Sequence, residues 1–228
     1  MHLRGLLLTA AGLLAGITSL PAEDGVFPIP TITLKPQPAD VIARHDAAFA
    51  SVQQGTRTFR ADITQRLTLQ GLARPVVSKG TLYYASPDKL LIRFSQPAGE
   101  WMLVNGSQSA IQKTGKPLET HDLATQGRSA SHAANLLDFF RADPTRWHKD
   151  FDVTMFTDGY FLWVHLKPWM TPTSTSQGVK EVVTALKLPN YDIAGMIVDL
   201  GSAQVEYDFT NGQRNAPIDP TLFKVPTP

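Results

Sequence analysis

The chain contains no cysteine. This removes disulfide bonds, thiol catalysis, sulfur-ligated metals and lipid attachment at a cysteine together. Strong charge of either sign is missing too: 21 basic residues face 20 acidic ones. With no net field to steer a polyanion, nucleic acid is not an expected partner. Long apolar runs are scarce. The one such run, Gly5 to Ile17, follows Arg4 and leads into Thr18-Ser19-Leu20-Pro21-Ala22. A short positive region, an apolar stretch too short to span a bilayer comfortably and a small residue at its end read as an export signal, with cleavage expected after Ala22. The exported product is expected to be soluble and untethered, and neutral in net charge once Arg4 is gone.

Chemistry-bearing constellations are also sparse. Asp62, Glu100, His45, His121, His132, His148 and His165 are scattered, and no pair has a metal-ligand or triad-like spacing. Gly80 and Gly99 fit no phosphate-binding loop, because the strand, glycine loop, helix order is absent. The expectation is therefore a protein that is not an enzyme, with no catalytic residue, metal or cofactor. Arg66 and Arg93 fall within expected strands, as solvated side chains or as partners for a polar headgroup.

What the chain does have is strand after strand. Residues 23–38 hold Pro28, Pro30, Pro36 and Pro38 with little periodicity and read as a flexible arm. From Ala39 to Gln53 the apolar residues recur at helical spacing, and Gly55 ends the helix. Thr56 to Gln70 reads as a strand with one face through Phe59, Ala61, Ile63, Arg66 and Thr68. Further strands follow at Val76 to Ala85, Leu90 to Phe94, Trp101 to Val104 and Gln108 to Lys113, with turns at Ser86-Pro87-Asp88 and Asn105-Gly106. Thr114 to Arg128 reads as a loop, and Ala130 to Phe140 as a second amphipathic helix ending before Pro144. Phe151 to Pro168 is a hairpin about Asp158-Gly159. Trp169 to Gly178 reads as a loop, and the last strands are Val179 to Leu186, Ile193 to Asp199 and Ala203 to Thr210. The sum is one domain over 39–228, mainly β with some α, built on a curved antiparallel sheet.

Three stretches carry a resemblance. They are Phe59-Arg60-Ala61-Asp62-Ile63-Thr64-Gln65; Gly80-Thr81-Leu82-Tyr83-Tyr84 with Pro87 and Leu103-Val104-Asn105-Gly106; and Glu206-Tyr207-Asp208-Phe209 with Asn215, Ile218-Asp219 and Leu222-Phe223. Together they resemble the LolA family of periplasmic carriers of outer-membrane lipoproteins, over roughly Ala39 to Thr227. The resemblance implies an incomplete, half-open antiparallel β-barrel with helices covering a hydrophobic cavity that holds acyl chains. It implies a periplasmic location and, as partners, acylated lipoproteins, an inner-membrane ATP-driven lipoprotein-releasing complex and an outer-membrane lipoprotein receptor. A shuttle of this kind is easiest as a monomer.

On that resemblance the expected cavity lining is Phe59, Ile63, Leu82, Leu90, Ile92, Phe94, Trp101, Leu103, Phe161, Trp163 and Met196. The lid would be the two helices, with Phe49, Leu137 and Phe140 pointing in. Taken singly, each of these residues reads first as ordinary core; only the resemblance raises the cavity reading, and for the set. In the family's best-known members an arginine stands before the proline that ends the second strand and bonds backbone carbonyls of the lid. Here that gate position is Ser86, which lacks the charge and the forked geometry for those bonds, and Leu90 stands where an aromatic residue is common. The departure leaves a second cargo open, a free lipid or glycolipid.

Overall fold

The computed structural model describes residues 35–126, 132–141, 144–169 and 179–225. The expected export signal, and all of the expected arm except Lys35–Pro38, lie outside them. Helix α1 (Ala39–Gln54) comes first, then five strands: β1 (Thr58–Leu69), β2 (Val76–Ala85), β3 (Lys89–Gln96), β4 (Trp101–Asn105) and β5 (Gln108–Gln112). The segment expected to be a loop contains a short strand, β6 (Glu119–Asp122), and one helical turn, α2 (Leu123–Gln126). Helices α3 (His132–Arg141) and α4 (Pro144–Asp150) lead to β7 (Phe151–Thr157), β8 (Phe161–Pro168), β9 (Glu181–Lys187), β10 (Asp192–Asp199) and β11 (Ala203–Arg214). A 3₁₀ turn, Pro220–Phe223, closes the described chain.

All eleven strands form one antiparallel sheet in the order β6-β5-β4-β3-β2-β1-β11-β10-β9-β8-β7. The long β1 sits at its centre, paired to β2 on one side and β11 on the other. Edges β6 and β7 do not pair, so the barrel is incomplete, as expected. One buried cluster gathers Val104 from β4 and Met155 from β7 with residues of most strands between them. Side chains from both halves meet there because the sheet curls around them.

Topology places the helices. The chain leaves the sheet at one edge, β6, and re-enters it at the other, β7. The intervening helices must cross the open side of the curl. Helix α3 packs on β3 and β4, α4 packs on β7, and α1 packs on α4. Beside edge β7, the Gln37 backbone N–H donates to the Met155 carbonyl at 2.8 Å.

Two local features set the curl and its outer cover. Register shifts between Lys79 and Gly80, where β2 meets β3, and between Arg60 and Asp62, where β1 meets β11; such irregularities bend a strand. At Gly80 the backbone of β3 comes so close that a Cβ would stand 2.3 Å from the Arg93 carbonyl oxygen. On the outer face of β3 and β4, the closing segment lays Phe223, Leu222 and Ile218 over Leu91, Leu103 and Trp101. The Asn105 side-chain amide donates to the Phe223 carbonyl at 3.0 Å and pins this strap.

We expect Gly80→Ala to cost at least about 2 kcal/mol, because the clash is with backbone and not with a side chain that can swing away. Urea unfolding of the two proteins measures it.

Candidate functional site

The pairing registers decide which side chains face the interior. Across the sheet, Phe59 aligns with Tyr84, Leu90 and Val104; Ala61 aligns with Leu82, Ile92 and Met102; Ile63 aligns with Gly80 and Phe94. Of the expected lining, Phe59, Ile63, Leu82, Leu90, Ile92, Phe94 and Met196 all lie in the single interior cluster. Along β1 the inner face runs through Phe59, Ala61 and Ile63 to Leu67. The expected continuation through Arg66 and Thr68 is corrected: Arg66 is on the outer face, where it bonds Asp208.

Four expected lining residues are elsewhere. Trp101 and Leu103 sit on the outer face under the closing strap. Phe161 and Trp163 also point outward, into a separate cluster with Val183, Ala185, Ala194 and Ile197. In β8 it is Leu162, Val164 and Leu166 that face in. Both strands are apolar on both sides, so alternation alone did not distinguish their faces. Arg93, aligned with Trp101, shares its outer side.

The helices supply the other wall. Phe49 of α1, and Leu137 and Phe140 of α3, enter the interior cluster as expected. They bring companions that sequence reasoning missed. Phe139 stacks on Trp147 of α4 with centroids 5.6 Å apart, and Phe49 lies against both rings. Phe140 stacks on Tyr84 at 5.5 Å and touches Phe59 and Phe209. The signal for Trp147 was Pro144, which stands at the first position of α4, where a missing N–H costs nothing.

Among the described residues, these rings pack against the inner face of the sheet. Between Phe59, Phe139, Phe140, Ile193 and the polar rim of Gln53, Thr56 and Arg214, a pocket remains with room for about one water molecule. The arrangement is that of a sheet whose inner face is plugged by aromatic side chains borne on helices.

Polar contacts hold the plug at its rim. His45 of α1 bonds the Tyr191 hydroxyl at 2.9 Å, and His148 of α4 bonds Asp46 at 2.7 Å. Arg214 donates to the carbonyls of Asn190 and Tyr191 and pairs with Asp192 at 2.8 Å. Burial holds the His45 pKa below its ordinary value, with Arg44 adding to the effect and Asp46 opposing it.

The gate position has its own geometry. The Ser86 backbone N–H donates to the Arg57 carbonyl at 2.8 Å. Burial raises the Tyr84 pKa, and a side-chain hydrogen bond to Ser86 opposes that rise. The arginine of this region comes from the helix instead: Arg141, the last residue of α3, donates its Nε–H to the Pro87 carbonyl at 2.9 Å.

Among the described residues, no group of His, Asp and Glu could hold a metal ion, and no helix is long and apolar enough to cross a membrane.

Comparison with known proteins adds one decisive match. The model of a family described as outer membrane lipoprotein carrier protein LolA matches residues 54–226. No curated protein matches the chain. Among solved structures, a DUF1329 family protein from Desulfovibrio piger is similar at 11% identity and a TM-score of 0.48, with 81% of this chain and 97% of that chain covered. A LolA superfamily protein from Nitrosomonas europaea gives 9% identity and 0.43, covering 80% and 97%. The lipoprotein LppX of Mycobacterium tuberculosis gives 11% and 0.43, covering 80% and 99%. The family match alone carries the identification.

Two outcomes follow from the rim contacts. His45 has a folded pKa below its unfolded value, so the unfolded chain binds more protons as pH falls, and its contribution to stability declines from neutral pH downward. The drop in melting temperature between pH 7.5 and 5.5 should be smaller in His45→Gln than in the wild type. Arg141→Met should speed amide exchange across residues 132–141 while leaving β1–β3 unchanged.

Proposed function

Because the chain belongs to the LolA family of outer membrane lipoprotein carrier proteins, we propose that it carries lipid-anchored proteins through the periplasm. Their acyl chains would be held between the inner face of the sheet and the helices. The observation that supports this most is the plug itself: Phe49, Phe139, Phe140 and Trp147 occupy the inner face from helices that span its open side.

The physical logic is an exchange. An acyl chain in water costs about 0.8 kcal/mol per methylene, on the order of 10 kcal/mol for sixteen carbons. A fully buried aromatic or aliphatic side chain is worth about 1.5–3 kcal/mol. Moving several such rings aside therefore costs about as much as one chain returns on entering. Loading and release then lie near balance, and neither needs an energy source within the carrier. An ATP-driven complex in the inner membrane would supply cargo, and a receptor at the outer membrane would accept it. The protein itself would bind, without catalysing a reaction or using a cofactor, and would act as a monomer.

A free lipid or glycolipid is the second reading. Ser86 favours it, because no arginine stands at the gate position and the arginine that bonds the neighbouring Pro87 carbonyl is Arg141 of the helix.

Native mass spectrometry of residues 23–228 with a triacylated lipoprotein and its deacylated form tests the proposal. We expect a one-to-one complex with the acylated form alone. Binding of both forms would make this a protein-recognition module, and binding of neither, with co-purifying lipid, would favour the second reading. Leu90→Glu on the inner face should abolish uptake, whereas Phe161→Glu on the outer face should preserve it in the folded protein; the reverse would misplace the site.

A further inference from the structure

The inner face is not uniformly apolar. One cross-strand row carries polar side chains: Ser78 of β2 aligns with Gln65 of β1, Gln65 with Tyr207 of β11, Tyr207 with Met196 of β10, and Met196 with Thr184 of β9. Neighbours in register place the row on the inner face. Ile63 and Leu67 flank Gln65 along β1, and Val164 and Met196 flank Thr184 across the sheet; all four belong to the interior cluster.

Two members of this row are unsatisfied. Thr184 is fully buried, and neither its hydroxyl nor the buried Oε1 of Gln65 has a hydrogen-bond partner among the described residues. A buried polar group without a partner costs about 1–3 kcal/mol, and valine or leucine would avoid that cost at either position. Between the two stands Tyr207, whose phenol burial keeps firmly neutral.

We propose that this row is the recognition site for the polar linkages of the cargo lipid, its amide- and ester-bound acyl groups, with Thr184 donating to the carbonyl of one linkage and Gln65 meeting the N–H or carbonyl of another. The inference rests on the carrier reading given above and goes further by assigning which chemical group the interior reads. Hydrocarbon has no donor or acceptor, so plain chain burial leaves both side chains as they are now. Three strand spacings, about 14 Å, separate Gln65 from Thr184 along the row. The linkage region would lie along the row, and the acyl chains would run beside it among the apolar residues.

The test uses two matched amphiphiles with the same short polyoxyethylene head, one a palmitoyl amide and one a hexadecyl ether, titrated below micelle formation into residues 23–228. One hydrogen bond is worth about 0.5–1.5 kcal/mol, which is up to about tenfold in affinity. We expect the wild type to prefer the amide by about tenfold. In the double variant Thr184→Val, Gln65→Leu the preference should fall below about twofold while affinity for the ether holds. Thr184→Ser, which keeps the hydroxyl, should retain most of the preference.

The free variant supplies an independent readout. Removing unsatisfied groups should raise the melting temperature of the double variant without lipid. A lower melting temperature would mean that both groups already have partners and would overturn the proposal, as would equal binding of amide and ether by the wild type. Binding of neither amphiphile would contradict the carrier reading itself and this site with it. Tight binding of both without preference would leave the carrier reading standing and remove only the polar row.

Discussion

An antiparallel sheet that curls without closing creates an obligation: its inner face is too apolar to meet water, and its two edge strands do not pair to seal it. Most of the architecture follows from that constraint. The chain has to travel from edge β6 to edge β7, and it does so as helices, because helices satisfy their own backbone while presenting one apolar stripe. Rings from that stripe complete the core. On the proposed function, the same rings are what a hydrocarbon chain would replace, so the feature that stabilises the fold would also let it act as a container.

The two parts are fastened by different means. The sheet is secured by ladders along long strands, by the bulge at Gly80 and by the strap over Leu91 and Leu103. The helices are secured by packing and by a few rim contacts: His45 to Tyr191, His148 to Asp46 and Arg141 to Pro87. Each rim contact is partly exposed and worth little alone. On the proposed function, this difference in fastening would let the helices shift while the sheet holds its shape.

Much of this was legible in the sequence. Alternation in β1–β3 placed Phe59, Ile63, Leu82, Leu90, Ile92 and Phe94 on one face correctly, because their opposite neighbours include Arg60, Asp62 and Arg93. The helical spacing around Phe49 and Leu137 marked the helix faces that turn toward the sheet. It failed where a strand is covered on both sides. Trp163 and Leu162 are equally apolar, and only the presence of a second cluster outside the sheet tells which one faces in. Likewise the strap of Ile218 to Phe223 hides Trp101 and Leu103, a contact between segments more than a hundred residues apart that local periodicity cannot carry. Gln65 and Thr184 were passed over because a polar residue in a strand reads first as solvent-facing; register, and not composition, turns them inward.

On the proposed function, lipid enters by displacing the helices' aromatic side chains while the sheet stays as it is. Hydrogen exchange followed by mass spectrometry, with and without a bound acyl lipid, addresses it directly. Exchange should rise in residues 39–54 and 132–150 on loading and stay constant in β1, β2, β10 and β11. Unchanged helices together with altered exchange in those central strands would contradict the account.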